Sequence, residues 1–247
     1  MASTKTHFGY QSVPESEKVN RVREVFDSVA SRYDLMNDLM SFGTHRFWKK
    51  IAIELCGLRP GQTVLDLASG TADLAKLQAK IIGKQGRLVV SDINEAMLTI
   101  GRERLIDEGL AQLEYVLIDA QELPFPDNTF DCVTIAFGLR NVTNKEQAIA
   151  SIQRVLKPGG RLIILEFSKP TSALVSKFYD FYSFKCIPKI GQLITKDADS
   201  YQYLAESIRM HPDQETLLEM LYQSGFDHAE YFNLTNGVVA IHRGYKY

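Results

Sequence analysis

Three aspartates close three consecutive apolar runs: Asp66 in TVLDLA, Asp92 in RLVVSDI and Asp119 in LEYVLID. The first run continues into the loop ASGTAD, residues 68–73, where only Gly70 stands in place of the three glycines of a dinucleotide-binding turn. In such a turn the second glycine lets the backbone approach a pyrophosphate, whose charge the following helix N-terminus stabilises. Here Ala68, Ser69 and Ala72 keep the turn narrow, while Asp66 and Asp73 place negative charge beside it. That rim suits a ligand without phosphates. Asp92 lies 22 residues after Gly70, close to the spacing of a ribose-binding acid, and a carboxylate there can accept both hydrogen bonds of a diol. Asp119, at the end of the third run, stands where an adenine amino group could be met. Any one of these carboxylates could merely cap a strand or helix. Three at successive strand ends weigh against that reading.

Carboxylates around a tight loop with no phosphate cradle match the needs of S-adenosyl-L-methionine, which presents an amino-acid end, a ribose, an adenine and a sulfonium cation. Several other chemistries lack their residues. No Asn/Asp-Pro-Pro-aromatic turn follows the fourth run, no Pro-Cys pair offers a pyrimidine-directed nucleophile, and no GxSxG elbow surrounds Ser69. The five histidines show no metal-ligand spacing, so no metal is expected.

These residues need a scaffold, and the pattern around them describes one. From Glu15 to Arg32 apolar residues at Val19, Val22, Phe26 and Val29 give one helical face, and His45 to Cys56 carries Phe47, Ile51 and Leu55 as a second stripe. After the Arg59-Pro60-Gly61 break the pattern changes to short Val/Ile/Leu runs suited to strands buried on both faces, with DCVTIAFGL at 131–139 and RLIILEFS at 161–168 completing five. Helical stretches at Asn94–Glu108 and Asn144–Leu156 lie between runs, so right-handed crossovers and a doubly wound, mostly parallel α/β sheet follow. HAEYFNL and GVVAIHRGY, joined at Thr235-Asn236-Gly237, read as a closing hairpin. A chain of 247 residues with 45% hydrophobic residues can bury one large core. Its net charge of -2, with no long Lys/Arg run, argues against nucleic acid as a partner. No signal-peptide stretch or spanning segment is seen, so a cytoplasmic location is expected. Cys56, Cys132 and Cys186 are odd in number and outside any CxxC spacing, which reads as reduced thiols.

The core resembles class I S-adenosylmethionine-dependent methyltransferases, and two stretches narrow the likeness. YDLMNDLMSFGTHRFW at 33–48 and RVLKPGGRLIILEFS at 154–168 are similar to the two signatures of the ubiquinone/menaquinone biosynthesis C-methyltransferases. The similarity continues through LPFPDNTFD, FGLRNVT, DADSYQYLAESIRMHPDQ and GVVAIHRGYK, and so spans nearly the whole chain. The resemblance implies a Rossmann-like fold with a seven-stranded sheet, an N-terminal helical cover (1–57), a cofactor-binding core (58–168), and lid helices with the closing hairpin (169–247), all in one methyltransferase domain. It implies S-adenosyl-L-methionine as cofactor, held at Gly70, Thr71, Asp92, Asp119 and Ala120 and by the backbone of Ala136. Ala72 and Ala136 depart from the family, which commonly has glycine and serine there. The implied reaction is ring C-methylation of a prenylated quinol, demethylmenaquinol and/or 2-methoxy-6-polyprenyl-1,4-benzoquinol. Deprotonating one hydroxyl makes the neighbouring ring carbon nucleophilic. Arg140 and Asn141, in FGLRN at the end of the fourth strand, fall nearest the expected reaction centre. A guanidinium, with its pKa above about 12, is no ordinary base. It can stabilise a developing phenolate and orient a water; the competing reading is an ion pair at a strand end. Tyr33, His45 and His211 are further candidates whose packing or capping roles are favoured over catalysis.

SALVSKFYDFYSFKCIPKIG, 172–191, is apolar nearly all round with Lys177, Lys185 and Lys189 interspersed. It fits either a buried helix or a lid for a prenyl tail at the inner membrane surface. Quinone-pathway enzymes and a second copy of the chain are further partners the resemblance leaves open. An O- or N-methyltransferase and a non-catalytic cofactor-binding subunit are the competing functions; intact FGLRN and both long signatures oppose the second.

Overall fold

The computed structural model describes residues 5–186, 188, 189, 192 and 198–247. A hairpin of β1 (Lys5–Phe8) and β2 (Gln11–Pro14) leads into α1 (Glu15–Val29), α2 (Tyr33–Ser41) and α3 (His45–Cys56). The core then alternates β3 (Thr63–Leu67), α4 (Asp73–Ile82), β4 (Arg87–Asp92), α5 (Glu95–Asp107), β5 (Glu114–Leu117), β6 (Phe130–Ala136), α6 (Lys145–Val155) and β7 (Leu156–Phe167). Helices α7 (Ala173–Phe181), α8 (Ala198–Met210) and α9 (Gln214–Gln223) precede β8 (His228–Leu234) and β9 (Val239–Tyr245).

Seven strands form one sheet in the order β5-β4-β3-β6-β7-β9-β8. The first five pair in parallel, and β9 pairs antiparallel with both β7 and β8. Strand β3 is apolar on both faces because both are covered: Val64 packs with Trp48, Leu74 and Leu98 on one side, Leu65 with Ile149, Ile152 and Leu217 on the other. From β3 the chain winds outward to β4 and β5, then returns to β6 and winds the other way, so a crevice opens at the carboxyl ends of β3 and β6. Asn94 and Asn144 start the flanking helices by accepting the Met97 and Gln147 backbone N–H groups at 2.9 Å.

The closing hairpin turns at Thr235 and Asn236, with φ of 49° and 53°, ahead of Gly237. Two elements escaped the periodicity: the short β1–β2 hairpin and α2, which begins only after a 3₁₀ turn at Ala30–Arg32. In α3 the buried face is His45, Trp48, Lys49, Ala52, Ile53 and Cys56, not the Phe47, Ile51, Leu55 stripe, and Phe47 is exposed. Polar residues occupy that face because carboxylates meet them: His45 contacts Asp38 at 2.9 Å and Lys49 contacts Asp73 at 2.6 Å. Cys56 and Cys132 are buried free thiols, while the Cys186 side chain lies outside the described residues.

Candidate active site

The loop between β3 and α4 is held in place by close approaches. Ala68, Gly70 and Ala72 all have left-handed backbone, with φ of 50°, 55° and 65°. Each alanine methyl lies against a glycine on a neighbouring segment. A Cβ on Gly101 of α5 would meet the Gly70 carbonyl at 2.8 Å and the Ala72 methyl at 3.1 Å, and one on Gly138 would collide with the Ala68 methyl. The strain of two left-handed alanines is thus held by packing on both sides of the loop. Asp92 ties the loop to β4: its Oδ2 accepts the Gly70 N–H and its Oδ1 the Asn94 N–H, both at 2.9 Å. Burial raises the Asp92 carboxyl above its ordinary value, and these two bonds act against the shift.

Two compartments that share wall residues open at this loop. The larger is walled by Val19, Val22 and Phe26 of α1, by Gly70, Asp92 and Met97, by Asp119 and Ala120, and by Gly138, Asn141 and Val142. Its walls are mainly apolar, with polar groups contributed by Arg23 of α1, by Asp92 and Asn94, by Asp119 and Gln121, and by the turn after β6. The Asp119 carboxylate accepts from the Gln121 backbone N–H at 2.9 Å and from its side-chain amide, which fixes its orientation.

The smaller compartment holds Lys49, Asp66, Ser69, Thr71, Asp73 and Ala136, and shares Tyr33, Ala68 and Phe137 with the larger. Asp66 is buried; its Oδ1 accepts the Thr134 hydroxyl at 2.5 Å, while its Oδ2 has no partner. Burial pushes this carboxyl up to about 7. Asp73 behaves in the opposite way. Burial would raise it, but Lys49, bonded at 2.6 Å, and Arg104 at 3.0 Å hold it below its usual value. The Thr71 hydroxyl donates to Asp34 at 3.1 Å. Burial pushes the Tyr33 phenol up to about 12, so it keeps its proton.

The turn after β6 carries the remaining sequence candidates, and they separate. Asn141 lines the larger compartment. Arg140 lines neither compartment. It is buried beneath them, where its Nη1 donates to the Phe137 carbonyl and to Glu166 at 2.8 Å, and its backbone N–H reaches the other Glu166 oxygen at 3.2 Å. Its carbon Cζ also sits 5.7 Å over the Phe167 ring. The strand-end ion pair is therefore realised, because a guanidinium buried in apolar packing requires a buried carboxylate. His45 and His211 are buried away from both compartments. Burial lowers both, and neither ring nitrogen of His211 has a hydrogen-bond partner. Lys49 was not foreseen in this role; its signal was a lysine falling on the buried face of α3.

The compartments fit S-adenosyl-L-methionine on the chemistry of their donors. The orphaned Asp66 oxygen beside Lys49 complements an ammonium and a carboxylate, and Asp92 and Asp119 offer acceptors to a ribose and an adenine on the larger compartment's wall.

Comparison with known proteins agrees. The model of the ubiE/COQ5 methyltransferase family matches residues 14–246. The ubiquinone/menaquinone biosynthesis C-methyltransferase UbiE of Pseudomonas fluorescens (strain SBW25) is 62% identical over 246 residues, covering 99% of this chain and 96% of that protein. Among solved structures, a SAM-dependent methyltransferase from Aquifex aeolicus superposes with a TM-score of 0.64 at 19% identity, covering 88% and 96% of the two chains. Phosphoethanolamine N-methyltransferase 2 of Haemonchus contortus, in complex with S-adenosyl-L-methionine, gives 0.59 at 18% identity, covering 80% and 52%. At these identities the structural likeness speaks for the fold alone.

Proposed function

The chain belongs to the ubiE/COQ5 methyltransferase family and is an S-adenosyl-L-methionine-dependent C-methyltransferase of ubiquinone/menaquinone biosynthesis, and from this premise we propose how its residues divide the work on a prenylated quinol. The acceptor is the ring carbon of demethylmenaquinol and/or 2-methoxy-6-polyprenyl-1,4-benzoquinol. The observation that carries the assignment of roles is the meeting of two unlike compartments at Tyr33, Ala68 and Phe137. One is mainly apolar and carries Asp92 and Asp119; the other holds a free carboxylate oxygen and a lysine.

S-adenosyl-L-methionine supplies an electrophilic methyl group when bound. Asp92 keeps lone pairs on both oxygens beyond its two backbone bonds, enough to accept a ribose diol. Asp119 and Ala120 would meet the adenine, and Gly70 and Thr71 with the Ala136 backbone would border the amino-acid end, where Asp66 and Lys49 supply opposite charges. Serine at position 136 would add one hydrogen bond, so alanine there costs on the order of 1 kcal/mol of binding.

On the acceptor side, the quinol would give up one hydroxyl proton to water, its ring carbon would bond to the methyl carbon as the methyl–sulfur bond breaks to leave a neutral thioether, and loss of the ring proton to water would restore aromaticity, the phenolate regaining its proton for a net release of one. Asn141 stabilises the developing phenolate by donating its amide N–H, and Arg140 positions the turn from beneath. Tyr33 and the apolar wall of α1 exclude water from the reacting atoms. Asp92→Ala should weaken cofactor binding at least tenfold in calorimetry, whereas Asn141→Ala should lower kcat with cofactor affinity unchanged. Equal effects of both on affinity would break this division of roles.

The lid side supports contact with the cytoplasmic face of a membrane. No helix among the described residues is long and apolar enough to cross one. On α7, Leu174, Phe178 and Phe181 recur at helical spacing and are 78%, 62% and 63% exposed, while Tyr179 is buried opposite them. Lys177, Lys185 and Lys189 are exposed nearby. An outward apolar stripe on a segment that also carries exposed lysines matches an anionic bilayer surface, the source of a prenylated substrate. The protein should cosediment with anionic vesicles at low salt, and Phe178→Ser with Phe181→Ser should abolish this; unchanged cosedimentation would refute it.

A further inference from the structure

An asparagine that must donate to a phenolate works only if its amide faces the right way. Rotating the amide by half a turn exchanges the N–H donors for a carbonyl oxygen that repels the same charge. The backbone of Asn141 is already fixed: its N–H donates to the Gly138 carbonyl at 3.0 Å, and the next carbonyl, of Val142, accepts from Lys18 and Lys145, each at 3.2 Å. The orientation of its side chain is not settled by those bonds.

We propose that Tyr203 is the positioning residue that sets it, holding the Asn141 amide with its N–H donors toward the cleft; this rests on the role given above to Asn141. Tyr203 projects from α8, is 4% exposed, and its hydroxyl donates to Asn141 Oδ1 at 3.0 Å. Burial holds the phenol far above its ordinary pKa, so it remains a donor throughout the working pH range. With Oδ1 committed to this bond, Nδ2 is the end turned to the compartment that Asn141 lines. The tyrosine is itself held in place. Its ring stacks on Phe8 of β1, with centroids 4.1 Å apart and planes 16° from parallel. Phe8 precedes residues 14–246, the span matched by the family model. The same hairpin is tied to α8 a second time, where the Tyr10 N–H donates to Glu206 at 3.0 Å. The N-terminal hairpin thereby acts on the reaction centre through two rings and one hydrogen bond.

The test uses the full chain with S-adenosyl-L-methionine and a demethylated quinol. Tyr203→Phe keeps the stacked ring and removes only the donor. It should lower kcat about tenfold, leave the cofactor Kd unchanged, and move the acid limb of the kcat–pH profile to higher pH, because the bound phenolate loses its oriented donor. A double-mutant cycle with Asn141→Ala should be non-additive, the double variant being no slower than Asn141→Ala alone. A kcat within twofold of the parent, or additive losses, would overturn the role of Tyr203 while leaving that of Asn141 standing. Full activity in Asn141→Ala would overturn both. Should Tyr203→Phe lose its fold, Asn141→Asp reads the same point: it still accepts from Tyr203 but offers the cleft no donor. It should be at least as slow as Asn141→Ala, and parent-like activity would overturn the inference.

Discussion

Removing the negative charge from Glu166 separates what Arg140 does for stability from what it does for the reaction. Both side chains of the pair are 2% exposed, and Glu166 accepts the Arg140 Nη1 at 2.8 Å, the Arg140 backbone N–H at 3.2 Å and the Phe167 N–H at 2.9 Å. Glu166→Gln keeps the shape but leaves a buried guanidinium uncompensated, which costs about 3–5 kcal/mol, or roughly 6–20 °C in Tm for a chain of this size. Trp48 reports on this directly, as the single tryptophan of the chain, 2% exposed, with its ring 6.1 Å from that of Phe167. Urea unfolding followed by its fluorescence measures the loss. Replacing both partners, as Arg140→Met with Glu166→Met, removes the charge and its counter-charge together, so stability should return to within about 2 kcal/mol of the parent. Methyl transfer should not return, because the turn carrying Asn141 has lost its bonds to Glu166. A Glu166→Gln cost below about 1 kcal/mol would refute the buried pair; a fully active double variant would refute the positioning role of Arg140.

Three further outcomes follow from the same geometry. Asp66 is held up to about 7 in the folded chain, against an ordinary 3.8, so the folded state binds the extra proton between those values and stability falls as pH rises across that window. Asp66→Asn should flatten this slope in unfolding measurements between pH 4 and 7, and an unchanged slope would contradict the assignment. Ionised Asp66 is also the form that attracts an ammonium, so cofactor affinity should rise with pH up to about 7 in the parent and not in Asp66→Asn, as read by calorimetry. Gly101→Ala would press a methyl to 2.8 Å from the Gly70 carbonyl and should weaken cofactor binding more than tenfold, with about 1–3 kcal/mol lost in stability; parent-like affinity would show that the loop yields freely.

The core was legible because its pattern has a direct physical cause. Strands covered on both faces must be largely apolar, and β3, β4, β6 and β7 read that way; the Thr235-Asn236-Gly237 turn likewise announced β8 and β9. The carboxylates closing β4 and β5 sit at the rim where the parallel topology requires a ligand. The cover was harder to read. On α3 the buried stripe contains His45 and Lys49, whose partners Asp38 and Asp73 come from other segments, so hydrophobic spacing pointed to the wrong face. Arg140 looked like a residue of the reaction centre because Glu166, its counter-charge, lies 26 residues away on the next strand. The bond from Tyr203 to Asn141 spans 62 residues and leaves no trace in local periodicity. Exposed aromatics on α7 could be told from buried ones only once Tyr179 was seen facing inward.

The most direct test of the account is where the methyl group goes. Purified protein and S-adenosyl-L-methionine carrying a ¹³C methyl group, incubated with each of the two reduced demethylated quinols in turn, should yield from at least one of them a product with one labelled methyl on a ring carbon and both hydroxyls free, as read by mass and carbon NMR. Label on an oxygen, or no transfer to either quinol from a protein that still binds the cofactor, would contradict it.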